Sequence, residues 1–336
     1  MTNKSKHQKI LKFIIASSLA IGLNGIAHGA TLKLATDSAN RDSPTGESLV
    51  YWGERIEEYS NNEIEVELYF QNELGTQQEV FDLLMGGAID GMLTWPMTNY
   101  DRRIGIVYTP YMLTDWEDAL EAYSPDGWLY SLLNDVMNEN DLKFLGPWPE
   151  GFNGIATAGQ CITDIEDNSN LNIRTIPVYP FPQVVQALGY QTAAIDWTEL
   201  YTALQTGVVS GDAGNVIYHD YEYFRDILDC YVRTKHMFMT AMFLMHNDSF
   251  SELSEEQQQA VYRASEDAVA KQFNDGLMTD ELYVERAIDY GMEYVELDSD
   301  SLRNNAEIVR EAIWPTMRSQ VGADLMDVIE ENAGEF

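Results

Sequence analysis

The chain has 336 residues, 45% of them hydrophobic and 11% aromatic, enough to bury a large core and to suggest two domains or one large one. With 55 acidic against 20 basic residues the formal charge is −35, which makes nucleic acid and anionic lipid unsuitable partners. No low-complexity tract, heptad array or short repeat is present.

Lys4, Lys6, Lys9 and Lys12 precede an apolar run from Phe13 to Leu23 and small residues from Ala27 to Ala30. This pattern predicts a secretory signal peptide over 1–30, cleaved after Gly29 or Ala30, and a soluble exported protein. The leader holds four of the basic residues and no acid, so the rest carries 16 basic and 55 acidic residues, a net −39. Dispersed acid with only Lys33, Lys143, Lys235 and Lys271 beyond the leader suits a surface facing high salt, and a salt-tolerant exporting bacterium as the source.

Beyond the leader, TLKLAT reads as a strand, Leu49, Trp52, Ile56 and Tyr59 recur at helical spacing, and IEVELYF alternates as a half-buried strand does. A helix over Gln77–Met85 and a strand over Ile89–Leu93 continue the alternation, which points to an α/β fold. A second such unit starts near Leu142: LKFLGPW, NGIATA and LNIRTI read as strands, and PQVVQALG and WTELYTALQTG as helices, the latter closed by Gly207. YVRTKHMFMTAMFLMHN reads as one long apolar strand, and Ser254 with Gln257 forms a capping box that opens a mostly helical remainder.

Cys161 and Cys230 are the only cysteines and have no metal-ligand spacing; in an oxidising compartment they form one disulfide or remain two buried thiols. GxSxG, HExxH, Walker A and dinucleotide-binding glycine patterns are absent, so no catalytic residue, cofactor or metal is expected. DSDSLRNN, 298–305, begins like a calcium loop but lacks its turn glycine and reads as a solvated loop. Arg174, alone among apolar residues and prolines in LNIRTIPVYPFP, needs a partner, since an unpaired buried guanidinium is costly. A salt bridge to one of the nearby acids and a contact with a ligand both meet that need.

In order and spacing, YFQNELGTQQEVFDLLMGGAIDGM, TPYMLTDWEDA, LNIRT, WTELYTALQTGVVSGD and LSEEQQQAV resemble the solute-binding proteins of tripartite ATP-independent periplasmic (TRAP) transporters, dicarboxylate-binding type. The resemblance covers essentially the whole chain beyond the leader. It implies a periplasmic, monomeric receptor of two α/β lobes, with mixed sheets flanked by helices and a long linking helix. By analogy lobe one is 31–151 with 241–280 and lobe two 152–240 with 281–336, closing over a small carboxylate, zwitterion or amine. The closed receptor would hand its ligand to the small and large membrane subunits of a permease. The resemblance puts the family's ligand-gripping arginine at Arg174, a role that suits its planar fork of donors.

The family's usual Asp-Gly-Gln-Glu-Asn run stands here as SGDAGN: Ser210 replaces the aspartate, Ala213 the glutamate, and Gly214 the ligand-facing asparagine. Asn215 takes over that contact only if the loop is reshaped, and EGFNGIAT has no counterpart of a second arginine found in several carboxylate binders. Segments lining the family's cleft supply the aromatics Trp95, Trp148, Phe152, Tyr179, Phe181, Trp197 and Tyr218 and the acids Asp37, Glu150 and Asp212, a set that attracts cations. The expected ligand contacts are Arg174, Asn215, Asp37, Trp95, Glu150, Phe152, Trp197, Asp212 and Tyr218. A periplasmic hydrolase and a sensory binding protein are the rival readings.

Overall fold

Short apolar strands alternating with amphipathic helices bury their faces by layering helices on sheets. The computed structural model, which describes residues 29–36, 40–71, 73–163, 165 and 170–336, arranges them as two sheets. The predicted leader lies outside these residues except for Gly29 and Ala30, and Ala30 already pairs with Ile64 in the first strand.

The first half runs β1 (Ala30–Thr36), α1 (Pro44–Tyr59), β2 (Ile64–Tyr69), α2 (Gln77–Met85), β3 (Gly91–Thr94), a 3-10 helix (Arg102–Tyr108), α3 (Trp116–Ala122), α4 (Trp128–Asn138) and β4 (Leu142–Phe152). Next come β5 (Ile155–Thr157), β6 (Asn172–Thr175), α5 (Phe181–Ala187), β7 (Gln191–Ala194), α6 (Trp197–Gln205), β8 (Gly211–Asp212), α7 (Ile217–Phe224) and β9 (Cys230–Arg233). The chain ends with β10 (Phe238–His246), α8 (Asn247–Ser251), α9 (Glu255–Tyr290), β11 (Glu293–Glu296), α10 (Ser299–Val321) and α11 (Ala323–Asn332).

One sheet has the order β2-β1-β3-β10-β4 and the other β11-β9-β5-β8-β6-β7. Residues Phe238–Met245 of β10 are all buried and, Thr240 apart, apolar, whereas edge strand β7 is exposed or part-exposed throughout. At β3, Gly91 is required by close approach: a Cβ there would lie 2.8 Å from Leu34 Cδ2 and 3.1 Å from Trp52.

Three expectations are corrected and one open choice is settled. Strand β3 begins two residues later than expected. The apolar run from 230 is two strands, because Lys235, with φ 50°, turns the chain from one sheet toward the other. The segment 298–305 is helical, with Asp298 capping α10 by accepting from Ser301 N at 2.8 Å. Cys161 and Cys230 are joined, resolving the open choice in favour of a disulfide that ties the segment after β5 to β9.

The chain passes between the sheets at 152–155, at 233–238 and along the 36-residue α9, opened by the expected Ser254–Gln257 capping box. Helix α9 packs on α1 and β4 near its start and on α7 and β11 near its end, while α10 packs on both the 3-10 helix and α5. In the second half of α9, Asp280 binds Arg233 through both carboxylate oxygens, with Arg233 Nη1 donating to Oδ1 at 2.9 Å, and accepts from Trp116 Nε1 at 3.1 Å. This buried node fastens β9, α9 and α3 together. Asp280→Ala leaves Arg233 only the longer 3.9 Å contact with Glu296 and is expected to cost about 3 kcal/mol in urea unfolding. The double variant Arg233→Met/Asp280→Leu is expected to lose less than that single one.

Candidate functional site

Parallel pairing of β6 with β8 sets Arg174 directly beside Asp212, thirty-eight residues later in the chain. Nη1 of Arg174 donates to Asp212 Oδ1 at 2.9 Å, and Nε donates to the Ile195 carbonyl at 2.8 Å. Asp212 Oδ2 in turn accepts from Gly214 N at 3.0 Å. The arginine is 3% and the aspartate 0% exposed, so each ion is tolerable only because the other is present. Gly214 follows from the same packing: a Cβ there would lie 2.6 Å from Arg174 Nη1 and 2.8 Å from Ile176 Cγ1.

A second carboxylate is buried behind the pair. Asp220 Oδ1 accepts from Asn215 Nδ2 at 2.9 Å, while Oδ2, equally buried, has no hydrogen-bond partner among the described residues. Burial and then the Asp212 charge push the Asp220 carboxyl well above the usual carboxylate range.

The loop after Asp212 leads to Val216 and Tyr218, which face Ser48, Trp148 and Glu150 across a cleft of about 510 Å³, within the size range of small-molecule sites. Trp148 donates its indole N–H to Ser48 Oγ at 2.8 Å and meets Trp95 edge-on at 6.4 Å. Glu150 Oε1 lies 2.7 Å from His219 Nε2, the closest polar link across the two walls. Tyr218 packs on His219 and Tyr283, with ring centres 4.7 and 4.8 Å away. Carboxylates beside aromatic faces make this wall attractive to a cation.

Asn153 and His236, both fully buried, fasten the two crossing strands to that loop. Asn153 N donates to the Met237 carbonyl at 3.1 Å, and Asn153 Oδ1 accepts from Met237 N at 2.9 Å. His236 Nε2 lies 3.0 Å from Asn153 Nδ2 and 3.1 Å from the Ala213 carbonyl, and Nδ1 lies 2.6 Å from Thr234 Oγ1. Movement of the crossing strands is thereby tied mechanically to the residues just after Asp212.

Of the sequence candidates, Arg174 and Asp212 come together, and Glu150 and Tyr218 line the cleft. Trp95 backs the lining Trp148, and Asn215 is turned inward to Asp220 rather than standing in for an asparagine at 214. Phe152, 1% exposed, is locked among Trp116 and Phe238 in the core instead of lining the cleft. Trp197 is 42% exposed and touches the site only through His219, 5.4 Å away. Asp37 lies outside the described residues. Sequence reasoning missed Asp220, His219, Asn153 and His236. Asp220 carried a signal: it falls three residues after Ile217 and four before Phe224, on the apolar face of α7.

Two outcomes follow from this geometry. Arg174→Met strands a fully buried Asp212 and is expected to cost about 3–5 kcal/mol of unfolding free energy, with Arg174→Met/Asp212→Asn losing less. Burial also holds the His236 pKa down at about 4. The unfolded chain therefore binds more protons between roughly pH 6.5 and 4, and stability falls as pH falls through that window by about 3 kcal/mol. Asp220, with its raised pKa, works in the opposite direction. Urea unfolding against pH should show a shallower acid limb in His236→Gln than in the wild type.

Comparison with known proteins matches this architecture. The family model for bacterial extracellular solute-binding proteins, family 7, covers residues 35–319. The ectoine-binding periplasmic protein TeaA of Halomonas elongata is 24% identical over 266 residues, 78% of this chain and 77% of that protein. A TRAP periplasmic solute-binding protein from Ochrobactrum anthropi, solved with its C-terminus in the ligand-binding pocket, superposes with a TM-score of 0.84 at 22% identity, over 91% of this chain and 95% of that one. Another from Desulfovibrio salexigens, with bound orotic acid, gives 0.77 at 20% identity, over 90% and 98%. With a family match across most of its length and the two-lobed fold, this chain belongs to the bacterial extracellular solute-binding proteins of family 7, a family of binding proteins rather than of enzymes.

Proposed function

We propose that this protein is a periplasmic solute receptor that captures a small organic acid or zwitterion and delivers it to a TRAP-type permease of small and large membrane subunits. The observation that carries the reading is the buried guanidinium of Arg174, held rigid by Ile195 and Asp212 beside the loop that forms one cleft wall. Two of its five N–H donors are committed to those partners, and the fork offers the others to a ligand carboxylate. Glu150, Tyr218 and Trp148, the last backed by Trp95, bound the rest of the ligand. The ectoine and orotic acid bound by relatives are of this size and chemistry.

In this reading the lobes, 31–151 with 241–280 and 152–240 with 281–336, rotate about the Asn153–His236 crossing. The ligand favours closure only by its greater affinity for the closed form. The leader directs export, and the acidic surface keeps the receptor soluble in salt.

A thermal-shift panel of small carboxylates, sulfonates, betaines, ectoines and amines tests the reading. A ligand present at a hundred times its Kd is expected to stabilise the fold by about 2.7 kcal/mol, raising Tm by a few degrees. Arg174→Lys, which keeps the charge beside Asp212 but loses the planar fork, is expected to abolish the shift. A panel without any shift, or turnover of a bound compound, would contradict the receptor assignment.

A further inference from the structure

Charge bookkeeping at the anchor goes beyond the presence of a binding arginine. Arg174 supplies one positive charge and Asp212, at 2.9 Å, already cancels it. Asp220, joined to the cluster through Asn215 on the same loop, has its carboxyl pKa raised by burial and by Asp212 and brings no positive charge to the cluster. The nearest buried histidine, His236, is neutral at pH 7 because burial holds its pKa at about 4. A carboxylate placed on Arg174 thus adds a negative charge to a dry site whose positive charge is spent, a situation proteins avoid unless a counter-charge arrives as well. The wall facing the loop is where such a counter-charge would sit: it carries Glu150, whose Oε1 lies 2.7 Å from His219 Nε2, with the aromatic faces of Trp148 and Tyr218 beside it.

Resting on the receptor reading above, we propose that Asp212 is a specificity-determining residue. By neutralising Arg174 in advance, it makes the site accept a solute whose carboxylate is accompanied by its own positive group and reject dicarboxylates. A purely structural Asp212 would change stability when substituted but leave the ranking of ligands by charge intact.

The experiment uses solutes in charge-matched pairs, of which succinate and 4-aminobutyrate, four-carbon chains differing in one terminal group, are the first. Concentrations giving half-maximal thermal protection are measured for wild type, Asp212→Asn and Asp212→Gln. Zwitterions are expected to protect the wild type at concentrations at least tenfold below those of their dianionic partners. In the Asp212 variants that ratio should fall tenfold or invert. If both variants fail to fold, Glu150→Gln, which removes the seat of the counter-charge, should raise the protecting concentration of the zwitterion more than that of the dianion, and an unchanged ratio there overturns the filter. A wild type that prefers the dianion, or a ratio unchanged in a folded Asp212 variant, overturns the charge filter and leaves the receptor reading standing. Protection by no solute of any charge, in any of the proteins, overturns the receptor reading and the filter with it.

Discussion

A guanidinium with 3% of its surface exposed needs a fixed counter-ion, and Asp212 supplies it across the parallel pairing of β6 and β8. Much of the site geometry depends on that pair. It requires a glycine at 214, because any side chain there would collide with Nη1. It turns Asn215 inward to Asp220, and it fixes the start of the loop that carries Val216 and Tyr218 to the cleft. The pair is costly to desolvate, and either ion left alone would be costlier.

The second constraint is continuity between the lobes. Among the described residues, the two crossing segments, α9 and the helices that pack across the divide link the sheets, and two buried polar nodes lie at these links. Asp280 with Arg233 and Trp116 pins the long helix on one side. Asn153 with His236 joins both crossing strands to the Ala213 carbonyl, one residue from Asp212. The crossing strands and the loop after Asp212 are therefore joined by hydrogen bonds rather than by loose packing. Glu150 and His219, 2.7 Å apart, form a polar contact across the walls that closure would tighten or break.

Much of the fold was legible in the sequence because its periodicities are local. Leu49, Trp52 and Ile56 mark the buried face of α1, Ser254 and Gln257 open α9, and the alternation of IEVELYF marks β2 with one side outward. Arg174 was legible as an anomaly, a lone cation among apolar residues. The identity of its partner was not, because pairing between β6 and β8 is a tertiary choice that no local pattern encodes. For the same reason Phe152 looked available to a ligand until Trp116 and Phe238 enclosed it. The break between β9 and β10 was hidden because Arg233, Thr234 and His236, polar in sequence, are all buried with partners. Helix α10 was missed at 298–305 because an acidic cluster that resembles a metal loop is equally a helix cap.

The most direct test of the central claim, that the Arg174 fork couples ligand to lobe closure, is small-angle X-ray scattering. The wild type and Arg174→Met/Asp212→Asn would be measured with and without the solute that gives the largest thermal shift. The account predicts that the solute shrinks the radius of gyration of the wild type and leaves the folded double variant unchanged. Equal compaction of both proteins would show that the ligand closes the lobes without the buried pair.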